Sequence, residues 1–227
     1  MDANGLRRKA LTWVVGWQLI LALLLFVPAW SARFWEAWVY WTLFFFAELS
    51  GTLYFLKRDP ALVESRLKFG PTAEHEKSQK VIQALVGVLA CAVWVVPGIE
   101  RRFHPSVIPR PLVLVADAIV VAGFVITFSA GRENSYASSV IEVTAGQRVV
   151  STGVYGLVRH PMYAGGLLML LATPLALGSL WALVFAVALC GVVAARLLDE
   201  ERYLSGHLAG YKEYCGKVRY RLIPYVW

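Results

Sequence analysis

Two stretches of this chain hold residue types that could do chemistry. RENSYASSVIEVTAGQRVVSTGVYGLVRHPMY, Arg132 to Tyr163, brings Arg, Glu, His, Tyr and three glycines to the entrance of an apolar segment. ARLLDEERY, Ala195 to Tyr203, places two Arg and three acids at the exit of the next one. In the first stretch Pro161 suits the opening turn of a helix, since its missing N–H and fixed φ cost nothing there. Arg159 and His160 then sit at a helix N-terminus, where free N–H groups and the dipole favour anions and a guanidinium adds a bidentate partner for a carboxylate. The plainer alternative is that both residues meet lipid phosphates. Gly146, Gly153 and Gly156 permit tight turns, and Val149-Val150 can tuck an apolar hook into whatever lies beside the loop. In the second stretch Arg196, Asp199, Glu200 and Tyr203 share a helix face by their spacing. Ionisable groups at the end of an apolar span usually belong to a site or a pathway; an exposed ladder of ion pairs is the bland alternative.

The elements that must position these residues are membrane spans. With 58% apolar and 16% charged residues and a mean hydropathy of +0.58, the chain lies outside the range of ordinary soluble domains. Apolar runs occupy Leu11–Trp30, Ala37–Leu56, Val81–Gly98, Leu112–Ala130, Met162–Leu177 and Leu180–Leu198, six candidate spans by length. The last two are short and joined at Gly178-Ser179, so they form a helical hairpin that either crosses fully or dips and returns. The expected fold is therefore an all-α polytopic membrane bundle. Residues 1–130 would carry four spans and an amphipathic loop at 57–80, in which Arg66 and Lys68 could cover the site or bind headgroups. Residues 131–227 would carry the polar loop, the hairpin and a tail. Of the 22 Lys and Arg, only Arg33, Arg101, Arg102 and Arg110 fall on one side of this arrangement. The positive-inside rule then puts both termini and both polar stretches in the cytoplasm, in a bacterial inner membrane. A cleaved signal peptide ending near Ala29 and Ser31 is the competing reading of the first span.

The net charge of +7 lies between apolar spans, where headgroups and topology account for it, so nucleic acid is not an expected partner. Cys91, Cys190 and Cys215 have no CxxC spacing, and His75, His104, His160 and His207 are too scattered for a metal site. Glu48 and Asp117 lie inside spans and count as functional candidates by default.

GQRVVSTGVYGLVRHPMYAGG, then RLLDEERYL, then GYKEYCGKVRYRLIPYVW, in that order from Gly146 to the tail, resembles the membrane methyltransferases that include isoprenylcysteine carboxyl methyltransferase and the bacterial phospholipid methyltransferases. The resemblance implies S-adenosylmethionine as cofactor, bound in a pocket open to the cytosol, and a lipophilic or small acceptor arriving from the bilayer. It implies cofactor-binding roles for Gln147, Val150, Gly153, Tyr155, His160, Tyr163 and Glu200, and catalytic roles for Arg159, Glu200 and Glu201. The extra N-terminal spans and prenyl exit of the eukaryotic carboxyl methyltransferases are not recognisable. An acceptor carboxylate, amine or thiol all stay open, the last two needing a base such as Glu200 or Glu201. The competing functions are a nicotinamide-dependent reductase of the sterol reductase type and a lipid-binding or transport bundle.

Overall fold

The computed structural model describes residues 2–67, 77–137, 139–144 and 146–227. Among them every regular element is helical: α1 (Ala3–Ala29), α2 (Trp35–Arg58), α3 (Pro60–Arg66), α4 (Lys77–Phe103), α5 (Arg110–Glu133), a 3-10 turn at Gly153–Gly156, α6 (Pro161–Ala176), α7 (Ala182–His207) and α8 (Tyr211–Lys217). Lipid offers no partner to a backbone N–H or C=O, so apolar runs of this length satisfy themselves as helices. Helices α1, α2, α4, α5 and α7 are long and apolar enough to cross a bilayer. Helix α6 has 16 residues, about 24 Å, somewhat less than the ~30 Å hydrocarbon core. The six expected spans are thus five long helices and one short one.

Several helices run past the apolar windows because polar caps extend them. The Asp2 carboxylate accepts the Gly5 N–H at 3.1 Å and starts α1 well before Leu11. Asp59 closes α2 and opens α3, its carboxylate accepting the Leu62 N–H at 3.1 Å, with Pro60 in the first turn. Val63 of α3 packs on Leu6 and Ala10 of α1, so this part of the 57–80 loop is a short helix laid under the basic end of the bundle. Lys68 and His75 lie outside the described residues.

The main core joins Leu21 and Leu25 of α1, Ala37 and Tyr40 of α2, Ala116 and Val120 of α5, and Ala172 and Ala176 of α6. Helices α5 and α6 cross backbone to backbone. A Cβ on Gly165 would stand 2.5 Å from the Thr127 hydroxyl and 2.7 Å from the Gly123 carbonyl, and one on Gly123 would stand 2.7 Å from the Gly165 carbonyl. Small residues that let helices approach this closely are a common device for packing in lipid, where no hydrophobic force pulls helices together.

The turn between α6 and α7 is fixed at the end of the bundle opposite the basic one. Gly178 takes a left-handed φ of +67°. The Glu100 carboxylate, near the end of α4, accepts the Ser179 and Ser106 hydroxyls and the Leu180 and Trp181 N–H groups. Beside it Arg101 pairs with Glu36 at 3.1 Å. The hairpin therefore runs to the level at which α2 begins and α4 ends. Of the acids inside spans, Glu48 accepts a bond from the Gln18 amide at 2.7 Å, whereas both oxygens of the buried Asp117 carboxylate have no hydrogen-bond partner.

Candidate functional site

The loop after α5 is held down by its own turns. Gly146 and Gly153 both adopt positive φ, and a Cβ on Gly153 would fall 2.6 Å from the Glu133 carboxylate carbon. The same carboxylate accepts the Thr152 hydroxyl at 3.0 Å, tying the loop to the end of α5. Gln147 folds back to accept the Thr144 N–H at 2.9 Å. The 3-10 turn that follows buries Tyr155, whose carbonyl accepts the Tyr214 hydroxyl at 2.7 Å. Val149 packs on Tyr211, Tyr214 and Val218 of the tail, the apolar hook expected from Val149-Val150.

Arg159 and His160 immediately precede α6, with Pro161 in its first turn. Their backbone N–H groups donate to the carbonyls of Tyr220 and Arg221 at 2.9 Å each, so the tail runs alongside them. The Arg159 guanidinium donates to the Val218 and Arg219 carbonyls at 3.0 and 2.8 Å and, through Nε, to Glu201 at 2.7 Å. Glu201 also meets His160 Nε2 at 3.2 Å and accepts from Arg221 at 2.8 Å. Burial works to lower the Arg159 pKa, but Glu201 beside it outweighs this and holds it above its ordinary value.

A cavity of about 480 Å³ opens between these elements. At the basic end it is polar. Tyr163 donates to Glu200 at 2.5 Å. Arg196 donates to the Gln79 side chain and the Ser139 carbonyl, both at 2.9 Å. Arg66 reaches in from α3 to the Met162 sulfur; burial pulls its pKa down, opposed by the neighbouring Tyr155, Tyr163 and Glu200. Burial pushes the Tyr155, Tyr211 and Tyr214 phenols up. The Tyr211 hydroxyl is buried without a hydrogen-bond partner while its residue lines the cavity. Toward the bundle interior the walls turn apolar, with Phe44, Val86, Val93, Leu170 and Leu189.

Of the residues singled out from sequence, Gln147, Val150, Tyr155, Arg159, His160, Tyr163 and Glu200 all line this one cavity. Gly153 and Glu201 do not. Gly153 shapes the loop, and Glu201 lies behind Arg159 and His160, fastening them to the tail. Arg196 and Glu200 do share the cavity, but Arg196 is engaged by α4 and the loop, and Asp199 is taken up by Gln79 at 3.0 Å and Arg202 at 3.0 Å. Sequence reasoning missed Tyr40, Gln83, Trp94, Glu142, Tyr211 and Tyr214, which also line the cavity. Gln83 carried a readable signal, as an amide within an apolar span; the tail tyrosines carried none beyond their number.

The comparisons with known proteins bear on both halves of this geometry. Residues 112–209 match the model of the phospholipid methyltransferase family. A stretch of 139 residues is 31% identical to the Delta(14)-sterol reductase of Mus musculus, covering 55% of this chain and 33% of that protein. The match thus extends over about a third of the relative's length. In fold, the whole chain superposes on 88% of the eukaryotic intramembrane Ras methyltransferase ICMT (isoprenylcysteine carboxyl methyltransferase), with a TM-score of 0.52 at 16% sequence identity.

Proposed function

We propose, for a chain whose residues 112–209 match the model of the phospholipid methyltransferase family and whose helices have the fold of an integral membrane methyltransferase, that it transfers a methyl group from S-adenosylmethionine to a lipophilic acceptor. The observation that carries this reading is the cavity, polar and bearing both charges at one end, apolar inside the bundle at the other.

The residues present fit the cofactor. Its sulfonium and ammonium call for carboxylates, and Glu200 and Glu142 line the polar end; its carboxylate calls for cations, and Arg66 and Arg148 line the same end. Tyr155, Tyr163, Tyr211 and Tyr214 offer ring faces, and the unpartnered Tyr211 hydroxyl is a buried group that a ligand would satisfy. The volume lies in the ~300–1,000 Å³ range of small-molecule sites. When bound, S-adenosylmethionine supplies an electrophilic methyl group.

The chain's own residues then position and shield. Tyr163 fixes the Glu200 carboxylate, which can attract a cation or take a proton from an acceptor amine or thiol; an acceptor carboxylate needs no base. Arg159 and His160, held by Glu201, keep the tail against the loop and close the polar chamber, so that in-line displacement proceeds with aligned reactants and little water. The charge asymmetry of the loops supports a cytosolic site with both termini on that side of a bacterial inner membrane. The bilayer would be the acceptor's source.

A second reading has a specific observation behind it: the identity to a sterol reductase favours a nicotinamide cofactor in the same chamber. Equilibrium binding of labelled S-adenosylmethionine to the purified protein decides between them. Saturable binding displaced by S-adenosylhomocysteine and not by NADPH is the expected result; displacement by NADPH, or binding of NADPH alone, would overturn the methyltransferase reading.

A further inference from the structure

The cavity's apolar arm ends on a small polar floor. Tyr40 of α2, Trp94 of α4 and Thr173 of α6 line it together, and Tyr40 and Thr173 are only 1% and 3% exposed. Along α6, Thr173 lies about 15 Å beyond Tyr163, so this floor sits deep in the bundle, well away from the polar chamber.

The protons of the floor can be assigned one by one. The Thr173 hydroxyl donates to the Met169 carbonyl at 2.8 Å, which commits its single proton. The 3.1 Å contact between the Tyr40 and Thr173 oxygens must then be donated by Tyr40. The Trp94 indole N–H donates to the Tyr40 oxygen at 3.2 Å. All three protons are engaged, whereas the Tyr40 and Thr173 oxygens each keep acceptor capacity.

Such a floor accepts and cannot donate. A carbonyl, ether or carboxylate pressed against it would meet lone pairs and stay unsatisfied. A bare methyl would leave the floor's own acceptors dry. A hydroxyl would complete it, and would do so without bringing a charge into the bilayer interior as an ammonium would. We infer that the arm selects methyl acceptors whose apolar body, about 15 Å long, ends in an alcohol, with Tyr40 and Thr173 as the residues that determine this specificity. The inference rests on the reading of the cavity as the acceptor's site.

The test uses the full chain in lipid nanodiscs and three probes of one skeleton: 11-hydroxydodecanoate, 11-oxododecanoate and dodecanoate, each competing against tritiated 11-hydroxydodecanoate. The wild-type protein should bind the alcohol about ten-fold more tightly than the ketone or the unsubstituted dodecanoate. Thr173→Val removes the acceptor that engages the Tyr40 proton, so the floor gains a free donor and the ketone should become the better ligand. Trp94→Phe removes only a donor already engaged, and the preference for alcohol should persist. Equal binding of alcohol and ketone by the wild type, failure of all three probes to bind, or an unchanged preference in Thr173→Val would each overturn the inference. Binding of S-adenosylmethionine is measured on the same samples. Its absence beside an intact alcohol preference would overturn the identity of the ligand as a methyl acceptor and leave the floor's selectivity established.

Discussion

Glu200 and Glu201 are neighbours in sequence, yet their replacement should fail in different ways. Glu201 holds Arg159 at 2.7 Å, Arg221 at 2.8 Å and His160 at 3.2 Å, with its side chain 12% exposed. Glu201→Ala strands a buried guanidinium that keeps two carbonyl partners but loses its counter-charge, a class of change that costs about 3–5 kcal/mol. Taking the lower end, because Arg159 retains Val218 and Arg219, the loss is about 3 kcal/mol. For a chain of this size that is a fall in Tm of about 6–12 °C. Glu200→Gln, by contrast, keeps the shape of a residue whose carboxylate accepts from Tyr163. It should shift Tm by no more than a few degrees while weakening S-adenosylmethionine binding at least ten-fold, the loss expected when a cation loses its carboxylate. Thermal unfolding in detergent and equilibrium cofactor binding, run on the same samples, separate the two. In addition, Arg159→Ala and Glu201→Ala combined should cost clearly less than their sum, since they remove one shared interaction. An unchanged Tm in Glu201→Ala together with abolished cofactor binding would refute the reasoning, because it would mean that this carboxylate touches the ligand.

Two further outcomes follow from the packing and the polar chamber. Gly165→Ala places a methyl 2.5 Å from the Thr127 hydroxyl and 2.7 Å from the Gly123 carbonyl; forcing α6 off α5 should destabilise by about 1–3 kcal/mol, read as a lower Tm, whereas Gly166→Ala, with open space at its Cβ, should leave Tm unchanged. Tyr163→Phe removes the bond that orients Glu200 and should lower cofactor affinity several-fold, measured by the same binding assay, with Tm nearly unchanged.

The sequence was most legible where chemistry is local. Pro161 after Arg159-His160 announces a helix start, and the polar loop with its glycines announces a turn-rich cap; six of the site residues picked out there, with Glu200 from the later helix, line one cavity. The helical, multi-span class followed from composition and the length of apolar runs alone. What stayed hidden depends on pairings distant in the chain. Nothing local distinguishes Glu200, which faces the cavity, from Glu201, which faces Arg221, because a helix turns by about 100° per residue and the facing elements decide which side is the site. Arg66 could be noted as a basic residue near the membrane, but its reach to Met162 depends on how α3 folds beneath the bundle. Likewise the buried turn at Gly178-Ser179 reads as a simple hairpin bend, and its attachment to Glu100 joins positions 79 residues apart.

The cavity's two ends come from different parts of the chain. Its polar chamber is built mainly from the loop, α6, α7 and the tail, where the recognisable signature lies, whereas much of its apolar wall comes from Tyr40, Phe44, Val86, Ala90, Val93 and Trp94 on α2 and α4, helices with no signature at all. Such a division separates what is done from what it is done to. On the proposed methyltransferase reading, substitutions on these two helices would change which acceptor is taken while the polar half stands untouched, so a search for altered selectivity should mutagenise α2 and α4 first.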